Sequence, residues 1–97
     1  MQFEWDPRKD RTNRTKHGVS FEEASRVFTG SLNVLEFFDE GHSQDEDRFI
    51  AIGPIDRDVV VVSFAERPDD VIRIFSARMA TPKERRQYMS YWRGRDE

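Results

Sequence analysis

The sequence contains no cysteine. Disulfides and thiolate metal sites are therefore excluded, as expected of a cytoplasmic protein. Histidine is almost as scarce. His17 and His42 lie far apart, without the close spacing of paired imidazole ligands, so neither a dedicated metal site nor a cofactor is expected. No apolar run approaches the roughly 20 residues that a membrane span needs. The opening MQFEWDPRKD has no hydrophobic core of the kind that marks a signal peptide. Nor is there an excess of positive charge: the net charge of −3 argues against a molecule that attracts polyanions as a whole.

The 97 residues instead point to one domain, 1–97, with a modest core. Their charge is unevenly spread. Residues 8–17 hold Arg8, Lys9, Arg11, Arg14 and Lys16 against a single Asp10, and residues 83–95 hold Lys83, Arg85, Arg86, Arg93 and Arg95 against Glu84. Between them, residues 36–47 carry Glu36, Asp39, Glu40, Asp45, Glu46 and Asp47 with no lysine or arginine. Basic ends and an acidic middle permit nucleic-acid binding without requiring it.

Local patterns predict the order β-α-α-β-β-β-β-α, a small α+β domain. Residues 3–5 read as a short strand. Asp6-Pro7 is a helix start, with an N-cap acid and proline at the first helical position. The polar helix that follows runs to about Lys16 and stops at Gly18. Ser20 and Glu23 form a capping-box pattern for a second helix, with Phe21, Ala24, Val27 and Phe28 as its apolar stripe and Thr29-Gly30 at its end. The period then changes to two, with strands at 33–38, 48–55, 59–66 and 71–78. Asp56-Arg57-Asp58 and Arg67-Pro68-Asp69-Asp70 are short enough to make a meander of hairpins. Thr81-Pro82-Lys83-Glu84 opens a last helix that ends near Trp92.

Arginines interrupt the apolar strand VIRIFSAR at 71–78. Strict alternation puts Val71, Arg73, Phe75 and Ala77 on one face and Ile72, Ile74, Ser76 and Arg78 on the other. The isoleucines are the core-facing pair, and Arg78, at the strand end, can turn either way. Arg73 can simply pair with Glu66 or Glu36 on a solvated face. Alternatively, Arg67, Arg73 and Arg78 form an anion site, for which the planar guanidinium is well suited. His17 fits a helix C-terminus, Trp5 a core anchor, and Tyr88 either helix packing or a hydroxyl offered to a cleft. The acidic stretch 39–47 lacks calcium-loop spacing.

Four stretches together resemble the BrnT toxin family: EWDPRK at 4–9, KHGVSFEEASRVF at 16–28, DRFIAIG at 47–53 and VIRIFSARMATPKERRQY at 71–88. The resemblance spans Phe3 to about Tyr88. It implies a RelE-like fold, a twisted antiparallel sheet flanked by helices. It also implies a ribonuclease toxin of a type II toxin–antitoxin system, which inhibits translation and growth. The implied partner is a BrnA-like antitoxin with a ribbon-helix-helix region, through which alone the complex would touch operator DNA. Matching positions are Lys16 and His17, Arg48, Glu66 and Arg67, then Arg73, Ser76 and Arg78, and finally Glu84 and Tyr88. Met79 stands where the family often has a second basic residue, and Pro68 where it often has glycine.

The implied chemistry is metal-independent RNA cleavage by the substrate's own 2′-hydroxyl. Arg67, Arg73 and Arg78 would stabilise charge on the scissile phosphate, and Glu66 or His17 would transfer protons. Histidine titrates nearest neutrality, whereas neighbouring arginines favour an ionised glutamate. Arg8, Lys9, Arg11, Arg14 and Lys16 on the first helix, with Arg48, Ser76 and Tyr88, would hold RNA. The alternative is a binding module, catalytically weak or inactive, whose arginines dock an acidic antitoxin segment and which serves mainly as co-repressor.

Overall fold

The computed structural model describes residues 1–30 and 33–95. Its elements are β1 (Gln2–Glu4), α1 (Pro7–His17), α2 (Phe21–Gly30), β2 (Leu35–Phe38), β3 (Phe49–Ile55), β4 (Asp58–Arg67), β5 (Val71–Met79) and α3 (Pro82–Arg95), with a short 3-10 turn at Glu40–His42. This is the α+β order that the local patterns predict.

The helix starts form as their residues dictate. The Asp6 carboxylate accepts the Arg8 N–H at 2.8 Å, and Gly18, at φ +72°, ends α1 by donating its N–H to the Arg14 carbonyl. At α2 the Ser20 hydroxyl accepts the Glu23 N–H at 2.9 Å, and the Glu23 carboxyl, lowered chiefly by Arg57, is lowered further, though more weakly, by the Ser20 N–H. The Glu23 carboxylate also takes both arms of Arg57, at 2.8 and 2.9 Å, while Asp10 accepts the Phe21 N–H at 2.8 Å. At α3 the box closes fully: Glu84 Oε1 accepts the Thr81 N–H at 2.8 Å and Thr81 Oγ1 accepts the Glu84 N–H at 3.1 Å.

The strands form one sheet in the order β1-β5-β4-β3-β2. The last four make an antiparallel meander, and β1 adds to the far edge parallel to β5, with Phe3 opposite Ile72. One sheet face packs under α2 and the segment that leads into it. There Val19, Phe21, Ala24 and Val27 meet Val60, Val62, Phe64, Ile72, Ile74 and Ala77, each worth about 1–3 kcal/mol on burial, less for the alanines. Trp5 packs edge-on to Phe21, as a core anchor should. A Cβ on Gly53 would lie 2.8 Å from Val27 Cγ1, so glycine lets α2 seat closely on β3. On the other face a smaller cluster of Ile52, Val59, Val61, Ala80 and Tyr88 packs with Trp92 of α3.

One irregularity changes which side chains share a face. Ser63 pairs with Ser76, yet Phe64 pairs with Ile74, so β5 carries one extra residue, Phe75, and the ladder shifts there. Strict alternation would place Ala77 with Arg73, and Arg78 with the isoleucines. Because of the bulge, Ala77 instead joins Ile72 and Ile74 in the core, and Arg73, Ser76 and Arg78 emerge together on the opposite face.

Candidate active site

Asn13 fixes α1 against β5. This helix is polar almost throughout, and Asn13 is its one buried residue. Its amide donates to the carbonyls of Val19 and Ala77, at 2.9 and 2.7 Å, and its carbonyl accepts the Ala77 N–H at 3.2 Å. β1 spans only three residues and pairs only as far as Arg73, so Asn13 satisfies the strand edge beyond it. The sequence carried a faint signal for this: an asparagine amid a basic helix, where it is a poor helix former.

Seated in this way, α1 and β5 enclose a cleft of about 440 Å³. Lys9, Lys16 and His17 line its helical wall, with Arg8 at the rim, and Phe75 and Ser76 line its sheet wall. His17 and Ser76 also border a smaller cavity of about 120 Å³, whose other walls include Ser63 and Arg78. The imidazole, two hydroxyls and a guanidinium thus surround one space that adjoins a basic cleft.

The arginines expected to bind anions each hold a carboxylate. Arg78 makes a two-pronged contact with Glu84, at 2.7 and 2.8 Å. Hydrogen bonds from Arg78, more than offsetting partial burial, lower the Glu84 carboxyl to about 2, and the Thr81 N–H adds to this. The same contact raises the pKa of Arg78. Arg73 reaches Glu4 on β1 at 2.7 Å, rather than Glu66 or Glu36, because the parallel edge strand places Glu4 beside it. Arg67 pairs with Glu46 of the acidic loop at 3.0 Å. Among the described residues Arg48 makes no ion pair; it reaches across β4 and sets its guanidinium 3.9 Å from the centre of the Phe75 ring.

Several expected participants stand elsewhere. Glu66 pairs with Ile72 and so faces the α2 side of the sheet, away from Arg73, Ser76 and Arg78. There it borders a recess with Glu36, whose carboxyl is raised by burial and further by the charge of Glu66. Arg67 borders that same recess at the hairpin end of β4. Arg11 and Arg14 are exposed on α1 outside the cleft lining, and Arg14 lies 3.7 Å from Asp10. Tyr88 is buried in the second core, its hydroxyl donating to the Asn33 carbonyl, so it packs α3 onto the sheet and does not line the cleft. No described helix is long and apolar enough to cross a membrane.

Comparisons with known proteins agree with this architecture. No curated protein sequence matches the chain. A crystal structure of the Brucella abortus ribonuclease toxin, BrnT, superposes with a TM-score of 0.65 at 29% sequence identity, over 84% of this chain and 97% of that one. The family model described as the ribonuclease toxin, BrnT, of type II toxin–antitoxin systems matches residues 5–84, which include α1, α2, all of β2–β5 and the start of α3. The chain therefore belongs to the BrnT family of ribonuclease toxins of type II toxin–antitoxin systems.

Proposed function

We propose that this chain is an endoribonuclease that cleaves single-stranded RNA without a metal ion, in the cavity between the end of α1 and β5. The observation that carries this reading is the convergence of His17, Ser76 and Arg78 on one space beside a basic cleft. The ribose 2′-oxygen attacks the adjacent phosphorus and loses its proton to a base. The P–O5′ bond breaks, and the 5′-oxygen takes a proton from an acid. The products are a 2′,3′-cyclic phosphate and a 5′-hydroxyl. His17 borders both cavities and is the residue best situated for proton transfer; Glu66, on the other face, is not. A positioned acid or base contributes ~10²–10⁴-fold, and fixed charge at the reacting oxygens often contributes more. Arg78 supplies that charge, Arg73 extends it along the same face, and Ser63 and Ser76 offer hydroxyls to the phosphate. Arg8, Lys9 and Lys16 hold the flanking chain.

In the same reading the toxin acts in the cytoplasm and is neutralised by a BrnA-like ribbon-helix-helix antitoxin, whose own DNA contacts bring the complex to its operator. The test is cleavage of single-stranded RNA in excess EDTA by the chain and by a folded Arg73→Ala/Arg78→Ala variant. Cleavage by the parent alone, leaving cyclic-phosphate ends, is the expected result. Equal cleavage by both, or loss of cleavage in EDTA, overturns the assignment.

One observation favours the alternative, a binding module with little catalysis. Arg67, Arg73 and Arg78 already carry the carboxylates of Glu46, Glu4 and Glu84. An incoming phosphate must share or displace these, whereas an antitoxin need only cover the face. Growth arrest on expression of the chain alone separates the two readings.

A further inference from the structure

We infer that Phe75, backed by Arg48, is a stacking subsite for an unpaired nucleobase of the RNA, next to the scissile phosphate. This rests on the ribonuclease reading of the neighbouring cavity and assigns the ring a part in it.

Four observations point to this. Phe75 is the extra residue of β5, which the pairing with β4 passes over, and bulges of this kind re-aim side chains beside sites. Its ring belongs to neither core cluster and, among the described residues, stacks on no other aromatic ring. It lines the α1 cleft, whereas Arg48, 3.9 Å from its centre, does not. The ring therefore borders the cleft with the Arg48 guanidinium close against it. Finally, the cleft of about 440 Å³ is large enough for a nucleotide. On its opposite wall Lys9, with Nζ 6.0 Å from the ring centre, can meet a phosphate of the same strand. An aromatic face flanked by cations takes a base of any identity, provided that the base is free of a duplex.

The test is binding of a 2′-O-methyl hexaribonucleotide, which lacks the nucleophilic hydroxyl and cannot be cut. A matched series has one base at a time replaced by an abasic sugar. Wild type, Phe75→Leu and Phe75→Trp are compared by fluorescence anisotropy, each first shown to be folded by circular dichroism. Removing one particular base should weaken wild-type binding roughly 5- to 150-fold, the range for a stacked base. Phe75→Leu should bind the intact oligomer as weakly as wild type binds that abasic one, with no further loss when the base is removed. Phe75→Trp should restore the sensitivity. The salt dependence should be the same in all three, because no charge has changed. Equal affinities for wild type and Phe75→Leu, an undiminished abasic penalty in Phe75→Leu, or no binding by wild type would overturn the subsite. Cleavage of unmodified RNA is measured in parallel. Cleavage without base sensitivity at Phe75 refutes the subsite alone, and base sensitivity without cleavage refutes the ribonuclease reading alone.

Discussion

Glu84→Gln probes the contact that both starts α3 and holds Arg78. In the folded chain the Glu84 carboxyl lies at about 2, against an ordinary value of 4.5. Taken alone, that depression corresponds to an upper bound of about 3 kcal/mol of stability at neutral pH. The Arg78 side chain is 41% exposed and Glu84 25%, so solvent screens the pair. Glutamine can also still accept the Thr81 N–H. A loss of about 1–2 kcal/mol at pH 7 remains. For a domain of this size that lowers the melting temperature by roughly 5–15 °C. Because the folded carboxyl is depressed, its contribution is fully present above pH 4.5 and is lost as pH falls toward about 2. Urea denaturation of the two proteins at pH 7, 4 and 2.5 should therefore show a gap that narrows steadily as the solution is acidified. A gap that stays constant to the lowest pH, or none at neutrality, would refute the assignment of the lowered pKa to this contact.

Asn13→Ala removes three hydrogen bonds to Val19 and Ala77 and leaves the Ala77 backbone unpaired at the sheet edge. It should cost about 2–4 kcal/mol in denaturant unfolding, and amide exchange should quicken in α1 before it does in β4. Tyr88→Phe loses only the hydroxyl's bond to the Asn33 carbonyl. A loss of about 1 kcal/mol is expected by the same measurement, with no change in RNA affinity.

Much of this fold was legible because its signals are local. Asp6-Pro7, Ser20 and Thr81-Pro82-Lys83-Glu84 mark helix starts through groups only two or three residues apart, and each forms a cap in the structure. The β-branched run at 59–62 alternates as a central strand must, with Val60 and Val62 in one core and Val59 and Val61 in the other. What escaped depends on distant partners. Arg73 finds Glu4, and Glu23 finds Arg57, through packing that no spacing reveals. Strict alternation along 71–78 fails because a bulge is a property of two strands, visible only once β4 is set beside β5. The candidate site shows the same division. His17 and the β5 arginines stood out by chemical type, whereas Asn13 and Phe75, which build the cleft, have ordinary side chains in positions that only the tertiary structure makes special.

The bulge also affects how this strand can diverge. With Phe75 left out, the remaining residues of β5 alternate without interruption: isoleucines and Ala77 inward, Arg73, Ser76 and Arg78 outward. A relative that has lost the residue at this point can keep the same sheet, the same core and the same arginine face, lacking only the ring. A deletion elsewhere in the strand, with the bulge retained, would turn one half of β5 over and bury a guanidinium under the helices. Gains and losses of single residues in this hairpin should accordingly collect at one position, and the presence or absence of an aromatic there can vary without disturbing the scaffold.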